Sequence, residues 1–211
     1  MKRTTLKSAL IALLALGSAV GGFAQQITPT DREQALHYLA DTRIGLTQAV
    51  QGLSDAQWMF KPGPDRWSVA EVVEHLAVLE ELFVKKVCPQ IVQSPAGKPG
   101  MDVKKLDAII MAKVPDRSTK LQAPPEIVPT GRWSPRESLQ RFLDDRQETV
   151  NFLNTASDLR GHVLSHPALG PLDGYEWVLA VAAHTERHTK QILEVEADPH
   201  FPSKTTTEGL H

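Results

Sequence analysis

Apolar residues recur at steps of three and four in four separate stretches of the chain, and this period commits it to helices packed along one face. The first stretch carries Leu36, Leu39, Leu46, Val50 and Leu53, and predicts a helix over about Asp31–Gln51. The second carries Val69, Val72, Leu76, Leu79 and Phe83, ending near Val87 where Pro89 disfavours continuation. The third carries Leu139, Phe142, Val150 and Leu153, ending near Thr155; the fourth runs from about Gly174 to Glu196. Start signals agree with these bounds. Ser68 with Glu71 and Ser134 with Glu137 are capping-box pairs, Pro135 suits a first helical position, and Asp173 is placed to cap the fourth helix. Pro62-Gly63-Pro64, the Gly161–Pro171 stretch and Asp198-Pro199 break the helices apart. With no convincing strand and only 6 % aromatic residues, the pattern predicts an all-α four-helix bundle built on aliphatic packing.

Residues 90–132, rich in proline and glycine, separate the second and third helices; a short helix over about Val103–Ala112 and a long crossover are expected. A connection of that length lets these two helices run parallel, giving an up-down-down-up order. Residues 25–199 form the bundle domain in this reading. Lys2, Arg3 and Lys7, followed by the uncharged run Ser8–Phe23 with Gly22 and Ala24 at its end, read as an export signal over residues 1–24. That run is too short and too rich in Gly and Ala for a confident membrane span, so the cleaved chain would be periplasmic or extracellular with no stable span. Residues 200–211 are polar and expected to be disordered. The formal charge of -2 gives no reason to expect a nucleic-acid partner. Cys88 is the single cysteine, so no internal disulfide forms; a thiol just before Pro89 with no neighbouring base reads as buried rather than catalytic.

Histidines in the apolar stripes carry the chemistry. In the fourth helix Trp177, Val181, His184, His188, Ile192 and Val195 share one face. His184 and His188, four apart, lie one turn above each other and can converge on one ion. His75 sits in the second stripe between Val72 and Leu79. It lies about 10 Å from the start of its helix, and His188 about 12 Å from the end of its own, so antiparallel helices bring them level. Parallel helices would leave the pair roughly 6–12 Å deeper. Three imidazoles suit one divalent metal ion, Zn, Ni, Fe or Co, and three protein ligands leave a position for water or substrate. Packed core histidines are the competing reading of the same positions. The segment His184-Thr185-Glu186-Arg187-His188 has its glutamate at the wrong place for zincins and inverzincins, and Glu186 faces away from the metal side as a solvated charge. His162 and His166 belong to the preceding loop, and His37 can pair with Asp41. Arg43, between Leu39 and Leu46, and Arg146, between Phe142 and Val150, either snorkel at the bundle edge or clamp a small-molecule anion beside the metal.

Leu53-Ser-Asp-Ala-Gln-Trp58, Lys61-Pro62, Trp67-Ser68 through Glu71 to His75-Leu76, His166-Pro167 through Gly170, Trp177, and His184 to His188 with Gln191-Ile192 together resemble the DinB-like family of bacterial four-helix metalloproteins. The resemblance implies the up-down-down-up bundle, a metal site at His75, His184 and His188, and the option of a homodimer. It also implies activities such as transfer of low-molecular-weight thiols, which are chiefly cytoplasmic and sit poorly with an export signal. Two functional classes follow: an exported metal-dependent hydrolase or thiol transferase, and a non-catalytic metal-binding or interaction protein.

Overall fold

The computed structural model describes residues 26–96 and 102–203. The export signal expected at residues 1–24 and the tail beyond Ser203 lie outside them. Local capping fixes where the helices begin. Thr28 and Asp31 exchange hydrogen bonds at the head of α1 (Pro29–Ala49), Ser54 and Gln57 at the head of the short α2 (Asp55–Met59), and Ser68 and Glu71 at the head of α3 (Val69–Leu82). The expected leader through Thr30 is therefore shorter, and α2 falls in a stretch expected to be loop. Pro89 does not stop the second helix. A π-turn over Phe83–Val87, in which the Cys88 N–H donates to the Phe83 carbonyl, leads into α4 (Cys88–Ile91), where Pro89 occupies the first turn. Widening the turn accommodates a ring that would clash with the carbonyl four residues back.

Among its described residues, the 92–134 segment contains α5 (Val103–Lys113) and a 3-10 turn, Pro125–Ile127. In α6 (Pro135–Thr155) Ser134 accepts the Glu137 N–H, while the Glu137 carboxylate turns to Arg141, so only half of the expected capping box forms. Before the last helix lies an antiparallel hairpin not expected from the sequence, β1 (Val163–His166) with β2 (Gly170–Asp173). Gly170 adopts φ +78°, a conformation glycine reaches without a Cβ penalty. Four-residue strands are too short to show alternation, so their signal is lost among turn residues. Asp173 and Glu176 then cap α7 (Gly174–Glu196). The tail is ordered as far as residue 203: Phe201 packs edge-on against Phe60 at 5.5 Å, and the Gln57 side chain donates to the Pro202 carbonyl.

The bundle pairs α1 with α7 and α3 with α6. Tyr175 donates to the Asp31 carbonyl and Tyr38 to Glu186, so residue numbers rise together along α1 and α7. Along α3 and α7 they run in opposite senses, with Phe83 near Trp177 and His75 against His184. Two apolar clusters fill the interior, one around Leu39, Phe83, Leu153 and Leu179, the other around Leu46, Leu76, Phe142 and Ile192. A polar layer separates them. Arg146, 1 % exposed, pairs with Glu80 and donates to the Leu39 carbonyl, Thr42 and Thr185; Thr149 donates to the second Glu80 oxygen. Every member of this layer is satisfied, which is the condition for burying charge.

Candidate metal centre

His75 reaches the site because Ser68 starts α3 and places position 75 two turns in, among Val72, Leu76 and Leu79. His184 and His188 reach it from α7, one turn apart. The antiparallel relation of the two helices brings all three level. One ligand-capable nitrogen from each lies within 4.8 Å of the others, and His75 Nε2 stands 2.9 Å from His184 Nε2. Ring centroids are 4.4–5.1 Å apart. Nitrogens bound to one tetrahedral metal at about 2.0–2.1 Å lie about 3.3 Å from each other, a separation within the span of this cluster. Among the described residues no other group of histidine, cysteine and carboxylate side chains gathers this closely.

Outer contacts set which nitrogens face inward. His75 Nδ1 donates to the Ile127 carbonyl at 2.7 Å, leaving Nε2 with its lone pair toward the other rings. His188 Nδ1 donates to Gln191 Oε1 at 2.8 Å, which leaves its Nε2 unprotonated. Imidazole lone pairs gathered this closely repel one another unless a cation or a shared proton lies between them, and the donor set of three neutral imidazoles fits a divalent transition metal. Burial pushes the His75 pKa down to about 4, against the raising effect of its bond to Ile127. Burial first, then the neighbouring imidazoles, holds His184 and His188 well below the usual histidine range. The rings are therefore neutral at pH 7, the form that ligates metal. His75 and His188 are buried, and His184 is partly exposed. The Trp67 ring packs against the cluster, its centroid 4.9 Å from that of His75 and 6.2 Å from that of His188.

The remaining sequence candidates are placed as follows. Arg43 is exposed on α1, and Thr42 takes the buried position expected of it. Arg146 is buried, but its guanidinium is committed to Glu80, Leu39, Thr42 and Thr185, which leaves it no free donor for a substrate. The expected anion clamp is thus replaced by a surface charge and an internal ion pair. Glu186 is not a free solvated charge; it accepts from Tyr38 at 2.6 Å and pairs with Lys190 at 2.7 Å. His37 pairs with Asp41 at 3.3 Å, as expected. His162 donates to the Ser94 carbonyl, and His166 accepts the Ala168 and Leu169 N–H groups while packing on Trp177. Cys88 is buried, with its pKa pushed up to about 12 by burial, and is no nucleophile at neutral pH.

Sequence reasoning missed the outer contacts. Gln191, three residues after His188, carried a legible helical spacing; the Ile127 carbonyl carried none, since a backbone acceptor fifty-two residues away leaves no mark in side-chain pattern.

A chain from Bacillus subtilis strain 168, the uncharacterized protein YuaE, is 24 % identical over 157 residues, covering 74 % of this chain and 93 % of its own. Among solved structures the fold matches YfiT from Bacillus subtilis, described as a probable metal-dependent hydrolase with an unusual four-helix bundle topology. That match has a TM-score of 0.50 and 19 % identity, over 81 % of this chain and 88 % of that one. The DinB superfamily model matches residues 38–192, a span that begins in α1, ends in α7 and contains all three histidines, and the chain belongs to that superfamily.

Proposed function

We propose that this protein is a metal-dependent hydrolase in which His75, His184 and His188 hold one divalent ion, Zn, Ni, Fe or Co. The observation that carries the reading is the convergence of three neutral imidazoles within 4.8 Å, two of them donating Nδ1–H to outer acceptors and so left with an unprotonated Nε2. Three protein ligands match catalytic rather than structural metal sites, because a fourth position stays open. A metal bound there supplies a Lewis acid and a water of lowered pKa. The chain's own part is to present three lone pairs and to exclude bulk water with Trp67 and the 3-10 turn. The description of YfiT as a probable metal-dependent hydrolase supports the choice of hydrolysis.

The helix order that goes with this reading is up-down-down-up, with residues 92–134 as the crossover; the pairings of α1 with α7 and of α3 with α7 support it. Export through residues 1–24 completes the reading, and N-terminal sequencing of the protein from a periplasmic fraction is expected to begin at Gln25. Metal analysis of the purified mature protein, with and without His184→Ala, tests the function directly. One equivalent of metal in the parent, loss of most of it in the variant, and chelator-sensitive hydrolysis of a panel of simple esters and amides are expected. A parent that retains no metal, or hydrolysis indifferent to chelation, overturns it.

A further inference from the structure

Residues 114–132, between α5 and α6, are anchored on the candidate ligands or on their immediate neighbours. The Ile127 carbonyl accepts from the ligand His75. Glu74, next to His75, accepts the backbone N–H groups of Thr130, Gly131 and Arg132. Arg187, next to His188, donates to the carbonyls of Val114, Asp116 and Thr119. Arg117 forms a two-pronged ion pair with Glu194, at 2.6 and 2.8 Å, and also donates to Gln191 Oε1 at 3.2 Å.

The last contact has chemical direction. A guanidinium only donates, so Gln191 must turn its carbonyl oxygen, not its amide nitrogen, toward Arg117. That same oxygen lies 2.8 Å from His188 Nδ1, which must then carry the proton. Nε2 is left unprotonated, the nitrogen free to take a metal. Rotating the amide by half a turn would set NH2 against guanidinium, and moving the proton to Nε2 would set a lone pair against a carbonyl oxygen. Glu194 holds Arg117 in place, so a chain of three side chains from two segments ends in the tautomer of one ligand.

We infer that Gln191, oriented by Arg117 and Glu194, is a positioning residue that fixes His188 as an Nε2 ligand and so makes metal affinity depend on the docked crossover. The inference rests on the metal-site reading above and adds to it the residues that set ligand affinity and their tie to the 92–134 segment. Outer-sphere partners of metal-bound histidine contribute about 10–100-fold to affinity.

The test compares the full mature chain with Gln191→Leu, Gln191→Glu and Arg117→Ala. Zn(II) affinity is read by competition with a chromophoric chelator, and the His188 tautomer of the metal-free protein by 15N-correlated NMR. Gln191→Leu is expected to weaken Zn(II) binding about 10–100-fold and to mix the His188 tautomers. Arg117→Ala should act in the same direction. Gln191→Glu keeps an acceptor for Nδ1–H and should restore affinity to within a few-fold of the parent, which a purely structural role would not predict. Unchanged affinity and an unchanged His188 tautomer in Gln191→Leu overturn the inference, as does an equal loss in the leucine and glutamate variants. The metal-free spectrum separates the two readings: a parent that binds no Zn(II) but shows the Nδ1–H form refutes the metal site, whereas a parent that binds Zn(II) with mixed tautomers refutes the relay.

Discussion

Neutral imidazoles inside a helix seam have a pH signature of defined sign. Burial lowers the His75 pKa to about 4 and holds His184 and His188 well below the unfolded value near 6.5. The unfolded chain therefore takes up protons first. Metal-free stability is fully present above about pH 6.5 and is lost as pH falls toward 4, by up to about 1.4 kcal/mol per pH unit for each ring. Denaturant titrations at pH 7.5 and 5.0 are expected to show this loss, and replacing any one of the three by Gln should reduce the slope. The buried ion pair obeys a different rule. Removing one partner, as in Arg146→Met, strands Glu80 and should cost about 3–5 kcal/mol, whereas Arg146→Met with Glu80→Leu should recover much of that loss. At this scale the sequence was legible for the histidines, because His75, His184 and His188 break an otherwise apolar stripe. It was less legible for the arginines. A helical stripe places a residue within about one position, and that uncertainty exchanged Arg43 for Thr42 in the seam; for Arg146 the seam position was right, but its partner Glu80 lies sixty-six residues away and carries no local sign.

Helix boundaries were set by short-range chemistry, which is why Ser68 and Asp173 could be read directly as caps. Loss of the Ser68 hydroxyl leaves an orphan N–H at the head of the helix that carries His75. Ser68→Ala is expected to cost about 1 kcal/mol, and a shift in the thermal midpoint measures it. The start of α7 is fixed from outside as well. A Cβ on Gly174 would come within 2.8 Å of Ile91 and 2.9 Å of the Leu159 carbonyl, and the Gly174 N–H donates to that same carbonyl. Gly174→Ala should therefore destabilise by about 1–3 kcal/mol despite alanine's higher helix propensity, because the neighbouring backbone must move. Short elements escaped the sequence. The four-residue strands of the hairpin before α7 show too little alternation to be read, and the π-turn depends on the helix continuing past Pro89 to bury Ile91, 1 % exposed.

In the whole molecule the apolar clusters hold the bundle together, and the three-histidine cluster lies where α3, α7 and the 3-10 turn at Pro125–Ile127 meet. Its assembly needs the antiparallel relation of α3 and α7, which the length argument from caps and helix ends had anticipated. The contacts from Ile127 and Arg117 depend on how the 92–134 segment drapes, and its proline-rich sequence does not encode that path locally. Among the described residues no helix is long and apolar enough to cross a membrane. The most direct measurement is X-ray absorption at the zinc edge on the protein loaded with one equivalent of Zn(II). Three imidazole nitrogens at about 2.0–2.1 Å with an oxygen in the remaining position are predicted. A shell of oxygen scatterers alone, or zinc lost on dialysis, would show that His75, His184 and His188 do not share an ion.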